Sequence, residues 1–226
     1  MNSPKILVFD LDDTLFDELS YVKSGLRFVA DWVSQRRNID ADELYGLMEK
    51  ALEEDRSNIL NKVFLQKNIY SKSFIRKSVQ VYRTHPPSIE LLNEATACLK
   101  RFKEWPKLLV TDGNKTAQYA KVRALKLDNE FLFTYLTNRY GRKNAKPSPH
   151  CFMKICEFAN VLPSDVVYIA DNPTKDFKGI KPLGFKTIRV MTGQHKSIKV
   201  TKEENADFEI RDLSYLTEKF LENAWQ

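Results

Sequence analysis

The chain has 226 residues, 42% of them hydrophobic and 29% charged, enough for one large domain or a domain with an insert, and for a sizeable buried core. It has no apolar run long enough to cross a bilayer and no basic-then-apolar leader, so neither a membrane span nor a signal peptide is expected. A net charge of +6 favours acidic ligands; the 36 Lys and Arg are scattered instead of forming an aromatic-interleaved stripe, so nucleic acid is not the expected partner, small phosphorylated molecules explain the balance equally well, and charge alone decides nothing.

The three cysteines, Cys98, Cys151 and Cys156, are odd in number and lack metal-like spacing, as expected of reduced thiols in a cytoplasmic protein.

The first predicted element is the apolar run Ile6-Leu7-Val8-Phe9, which lacks alternation and so suits a strand buried on both faces of a parallel sheet. It stops at Asp10-Leu11-Asp12-Asp13-Thr14, and the carboxyl ends of strands are where open α/β sheets bind ligands. Asp10 and Asp12, two residues apart, can aim at one point beyond the strand. Carboxylates held so close need a compensating cation, and Mg²⁺ suits oxygen ligands. With a phosphate ester as a further ligand, Asp10 can attack phosphorus. Asp12 can then protonate the leaving oxygen and activate water. The same residues also suit a polar turn or helix cap.

About seventy residues of helical pattern follow. Leu19, Val22, Leu26, Val29 and Val33 recur at helical spacing, as do Leu44, Leu47, Met48, Ala51 and Leu52, with Asp40 and Asp42 placed to cap the second series. Further patterns cover Ile59–Phe64 and Phe74–Tyr82, and Pro86-Pro87 closes the block, which reads as an inserted helical subdomain.

From residue 88 helix and strand alternate. A helix is expected over 89–102, then a strand at 107–111 ending in Thr111-Asp112-Gly113. A helix over 117–127, a short strand near 133–136 and a basic loop at 139–146 follow. Ser148 and Pro149 would open a helix running to about residue 158. The third strong strand, 166–170, ends in Asp171-Asn172. A helix over 175–183 stopping at Gly184, a strand at 186–190, an edge strand at 207–210 and a helix over 215–224 complete the pattern. Repeated strand–helix units predict an α/β fold with parallel strands.

Three further features lie at strand ends. The Thr111 hydroxyl and the next backbone N–H, that of Asp112, can donate to a phosphate oxygen, or form a turn and cap. Lys146 stands before a proline-initiated helix, where a nearby anion would explain a cation, although one lysine among many is also ordinary surface. Asp171 follows a buried strand as Asp10 does and can complete a Mg²⁺ shell. Asp176, expected in a helix's first turn, can reach the metal through water, orient Lys146, or compensate the helix dipole.

Asp-x-Asp-x-Thr, strand-end Thr, Lys-Pro and Asp-x₄-Asp, in this order and each at a strand–helix junction, resemble the haloacid dehalogenase superfamily. The resemblance covers the whole chain and implies a Rossmann-like doubly wound parallel core, residues 1–16 and 87–226, with an inserted all-helical cap, residues 17–86. It implies that Asp10 is the nucleophile and Asp12 the general acid/base, and that Thr111, Asp112 and Lys146 bind the phosphoryl group. Asp10, Asp171 and the Asp12 carbonyl would hold Mg²⁺, with Asp176 at the family's last acidic position. The dehalogenases lack an acid at the Asp12 position, so the resemblance points to a phosphatase of small phosphorylated metabolites, sugar phosphates or nucleotide-like compounds. A phosphomutase and a non-catalytic binding or regulatory module are the alternatives.

Two residues depart from the family's pattern: Ala170 and Lys126 stand where glycine is usual. In the cap, Asp17, Lys23, Arg27, Arg76 and Arg83 are candidate substrate contacts as well as ordinary surface charges, and the crossings near 16–20 and 83–88 would be hinges.

Overall fold

Six short strands, β1 (Ile6–Phe9), β2 (Lys107–Thr111), β3 (Phe133–Leu136), β4 (Val166–Ala170), β5 (Lys186–Val190) and β6 (Phe208–Ile210), form one sheet in the order β3-β2-β1-β4-β5-β6. Every pairing is parallel. The computed structural model describes residues 4–225. β1, β2 and β4 are buried along their whole length, which is why β1 and β4 are continuous apolar runs and β2 is apolar between its end residues Lys107 and Thr111. Phe9 is in register with Leu109 on one side and Ile169 on the other, so β1, β2 and β4 reach the same edge of the sheet together. The strand order reverses direction between β1 and β4, the position where a Rossmann-like sheet opens a crevice for its ligand.

The chain divides into two compact units, one of residues 1–18 and 90–226 and the other of residues 19–89. In the first unit the core packs sheet residues Val8, Val110 and Tyr168 with Phe152, Ile155, Phe177 and Phe185. Its helices are α5 (Asn93–Arg101), α6 (Lys115–Ala124), α7 (His150–Ala159) and α8 (Glu218–Ala224). The second unit holds α1 (Glu18–Arg37) from Leu19 onward, α2 (Ala41–Glu54), α3 (Ile59–Gln66) and α4 (Lys72–Thr84), packed around Leu26, Val29, Val33, Met48, Val63, Phe64 and Phe74. Asp40 caps α2 by accepting from the Glu43 N–H at 2.8 Å, and Ser71 caps α4 by accepting from that of Phe74 at 3.1 Å.

Several expected elements differ. The helix predicted from residue 89 begins only at Asn93, because the chain up to Leu92 is extended and the Leu92 N–H donates to the Leu15 carbonyl. α7 starts at His150, one residue late, with Ser148 Oγ accepting from the His150 N–H at 3.3 Å. The last helix is split into a 3-10 turn, Leu213–Tyr215, and α8, capped by Thr217.

The helix predicted over 175–183 does not form: the segment is a series of turns ending in a 3-10 turn at Lys181–Leu183. Its apolar residues at 177, 180 and 183 mimic a helical stripe, but Pro182 has no N–H to continue the ladder. Gly179 also lies so close to the Pro147 carbonyl that an added Cβ would sit 1.7 Å from its oxygen.

Lys126 ends α6 in the left-handed conformation, φ 57°, which glycine would usually supply there. The N–H groups of Lys126 and Leu127 donate to the carbonyls of Arg123 and Val122, closing the helix despite the side chain.

Candidate active site

Asp10 leaves β1 with its N–H still donating to the Ile169 carbonyl at 2.9 Å, so the sheet itself fixes where the carboxylate projects. Lys146 Nζ lies 2.8 Å from Asp10 Oδ1, 2.8 Å from Asp176 Oδ1 and 3.0 Å from the Tyr168 hydroxyl. The Tyr168 hydroxyl in turn donates to Asp176 Oδ1 at 3.3 Å. Lys146 reaches this point from the loop before α7, across a cis peptide bond to Pro147, and its N–H donates to Asp112 Oδ1 at 3.2 Å. The side chains of Lys146, Asp10 and Asp176 are almost wholly buried, at 1%, 4% and 0% exposure, so an interior lysine here is held by ion pairs and not by solvent.

The turns that replace the predicted helix give Asp176 its place. Its Oδ2 accepts the Asn172 N–H at 3.0 Å, while Asn172 Oδ1 accepts from the N–H and hydroxyl of Thr174. Asp176 therefore orients Lys146 from a turn, not from the first turn of a helix.

Asp171, at the end of β4, completes a cluster in which carboxylate oxygens of Asp10, Asp171 and Asp176 all lie within 4.8 Å of one another. Burial pushes Asp10 up to about 7, against the pull of Lys146, with Asp176 adding to the rise. Burial likewise raises Asp171, opposed by its hydrogen bond to His195. Burial disfavours the Lys146 ammonium, yet Asp10 and Asp176 outweigh it and hold its pKa well above the ordinary value. Three buried carboxylates against one ammonium leave excess negative charge in a water-poor place, and a hard divalent cation with oxygen ligands fits that donor set.

The Asp12 side chain is engaged elsewhere: Oδ1 receives Lys121 Nζ at 2.6 Å and Oδ2 receives Gln118 Nε2 at 2.8 Å. Thr111, fully buried at the end of β2, accepts from the same Gln118 nitrogen at 2.5 Å. The neighbouring Asp112 carboxylate accepts from the Thr137 hydroxyl and pairs with Lys175 at 3.8 Å.

Gln118, Lys121, Tyr168, Asp13 and His195 are additions to the residues singled out from sequence. Asp13, at φ 55°, accepts the N–H groups of Glu18 and Gln194 and so ties the loop after β1 to the loop after β5. His195 in that second loop lies 2.7 Å from Asp171 Oδ2 through Nδ1. Because Asn172 Oδ1 already accepts from Thr174, its Nδ2 donates to His195 Nε2 at 3.0 Å, which leaves the His195 Nδ1–H to donate to Asp171. That bond raises the His195 pKa. The buried Arg189 guanidinium straps the loop by donating to the carbonyls of His195 and Ile198.

Among the basic candidates for substrate contact, Lys23 pairs with Glu49 at 3.4 Å and Arg27 pairs with Asp31 and Asp42, all within the helical unit. Arg76 and Arg83 are exposed on α4, and Asp17 is exposed in the first unit.

A carboxylate at the switch point of a parallel sheet, braced by a buried lysine, is the arrangement of the haloacid dehalogenase-like hydrolases. The chain belongs to that family, whose model matches residues 4–184. It is similar to two enzymes named glyceraldehyde 3-phosphate phosphatase. One is from Pyrococcus furiosus, 27% identical over 96% of this chain and 93% of the relative; the other, from Methanocaldococcus jannaschii, is 26% identical over 95% and 96%. Among solved structures, a 2-haloacid dehalogenase from Pseudomonas syringae pv. tomato superposes with a TM-score of 0.67, at 22% identity over 99% of this chain and 100% of that one. A Bacillus subtilis protein assigned to the HAD hydrolases and bound to magnesium gives 0.65, at 21% identity over 93% and 95%. At these identities the structures establish the fold alone.

Proposed function

We propose that this hydrolase cleaves a small phosphate monoester, of the sugar-phosphate class, through a phosphoryl group carried transiently on Asp10. The observation that carries the reading is the Lys146 ammonium held 2.8 Å from Asp10 Oδ1 at the end of β1, with Asp176 fixing it from the other side. A lysine so placed can bind a phosphoryl oxygen and relieve repulsion between the Asp10 carboxylate and a dianionic substrate. The phosphatase names of the two relatives, each matched over nearly its full length, support the same class.

In this mechanism an Asp10 carboxylate oxygen bonds to phosphorus as the bond from phosphorus to the leaving oxygen breaks. Asp12 gives its proton to the departing alkoxide. Asp12, now a carboxylate, takes a proton from water as that water attacks phosphorus, and the bond from phosphorus to Asp10 breaks to release inorganic phosphate. The Thr111 hydroxyl and the Asp112 N–H donate to the transferring group. Mg²⁺, held by the Asp10 and Asp171 carboxylates with the Asp12 carbonyl, would offset the charge of the phosphoryl group. A halide would leave without a proton, so the retained Asp12 favours ester cleavage over dehalogenation. The helical unit, residues 19–89, is assigned as the cap that selects substrate.

Phosphate release from glyceraldehyde 3-phosphate and a panel of sugar phosphates and nucleoside monophosphates tests this, with Mg²⁺ or chelator, for wild type and Asp10→Asn. Release that needs both Mg²⁺ and Asp10 is expected. Release by Asp10→Asn at a comparable rate, or isomer interconversion without net release, would contradict it.

A further inference from the structure

We infer that Gln118 and Lys121 on α6 are positioning residues that fix the Asp12 carboxylate and the Thr111 hydroxyl as one unit. The inference rests on the reading of Asp12 as the acid/base group. Both side chains are buried, on the same face of the helix as the apolar Ala117 and Val122. Packing alone would select apolar residues there, because an interior amide or ammonium is costly unless its hydrogen bonds are made. Both reach Asp12, and Gln118 also reaches Thr111. Lys121 Nζ meets Asp12 Oδ1 at 2.6 Å and Gln118 Nε2 meets Asp12 Oδ2 at 2.8 Å, so each carboxylate oxygen has its own donor and the plane of the group is set.

The Gln118 amide does a second thing. In the ionised form of Asp12, the one that takes a proton from water, both oxygens only accept, which fixes the amide nitrogen toward it, and the same nitrogen lies 2.5 Å from Thr111 Oγ1. Thr111 therefore accepts from Gln118, which leaves its single O–H proton to be donated elsewhere, as to a phosphoryl oxygen. The amide cannot swing away easily. Gly113, at φ 130°, lies against it, and a Cβ on that glycine would meet Gln118 Cδ and Cγ at 3.2 Å. On the Lys121 side the Phe16 ring centroid is 5.7 Å from Nζ, a cation–π contact that limits its travel.

The test compares kcat/KM, which reports phosphoryl transfer to Asp10, for p-nitrophenyl phosphate and for an alkyl phosphate in the presence of Mg²⁺. The first leaving group departs with little help from an acid and the second needs one. Lys121→Met is expected to lose roughly tenfold more on the alkyl ester than on the aryl ester, and Lys121→Arg to recover part of the difference. Gln118→Leu should lose the same discrimination and in addition raise KM for both, because Thr111 is released. Thermal melts establish folding; if Lys121→Met does not fold, Lys121→Gln and Gln118→Glu carry the same comparison.

Equal losses on both esters in folded variants would overturn the positioning role. Turnover by Asp10→Asn, or no turnover of either ester by wild type, would instead overturn the phosphatase reading.

Discussion

Replacing Lys146 with methionine removes the cation from the middle of the site while keeping the length of its stem. Its ammonium sits 2.8 Å from both Asp10 and Asp176, with those side chains at 4% and 0% exposure, so neither carboxylate can turn to water for compensation. Removing one partner of such a buried pair costs about 3–5 kcal/mol. The cost depends on pH in a defined direction. Burial already lifts Asp10 from 3.8 to about 7, and Lys146 is the largest influence holding it down, so the variant's carboxylate rises further. A carboxyl whose folded pKa lies above its unfolded value destabilises the protein progressively as pH climbs from the unfolded pKa through the folded one. For Asp10 in metal-free wild type that contribution is about 4 kcal/mol between pH 4 and 7, taking the shift from 3.8 to about 7. Below that window Asp10 is protonated in the folded state and the missing ammonium matters least.

Urea unfolding of both proteins in chelator at pH 5 and pH 8 reads the difference. The variant should be several kcal/mol less stable at pH 8, should close much of the gap at pH 5, and should recover at pH 8 on adding Mg²⁺. A penalty under about 1 kcal/mol at pH 8, or one equal at both pH values, would refute the electrostatic argument, since breaking a truly buried pair is strongly destabilising.

Gly179→Ala should destabilise the protein and lower phosphate release together, because its Cβ would sit 1.7 Å from the Pro147 carbonyl oxygen, next in sequence to Lys146; unchanged melting and turnover would contradict that packing. Asp40→Ala removes the α2 cap and should cost about 1 kcal/mol in urea unfolding, with kcat on small esters unaltered. A cost near zero would mean that another donor or water replaces the cap.

The parts of the site legible in the sequence are those announced by strand ends. Ile6–Phe9 and Val166–Ala170 are continuous apolar runs that need burial on both faces, and the first polar residue after each, Asp10 or Asp171, falls at the carboxyl edge. Asp176 has no such marker. Phe177, Ile180 and Leu183 recur at helical spacing, yet Gly179 and Pro182 decide the local conformation, one by its contact with Pro147 and the other by its missing N–H.

Gln118 and Lys121 carry a local signal, since two polar residues fall on the apolar face of α6 between Ala117 and Val122. Which groups they satisfy depends on the loop after β1 meeting that helix, and no spacing along the chain encodes that. His195 has less to announce it: its partner Asp171 lies 24 residues away, and its position follows from the Arg189 strap on a loop without periodicity. Lys126 shows the opposite lesson, because hydrogen bonding at the end of α6 imposes the left-handed backbone on a residue with a Cβ.

The central claim, that Asp10 carries the phosphoryl group, is tested most directly by trapping it. A single-turnover reaction with Mg²⁺ and a rapidly cleaved phosphate ester is quenched in acid, treated with borohydride, which reduces an acyl phosphate to the alcohol, and mapped by peptide mass. The account predicts reduction at position 10 in wild type, more of it in Asp12→Asn, where water is poorly activated, and none in Asp10→Asn. Phosphate release at the full rate with position 10 unmodified throughout would contradict it.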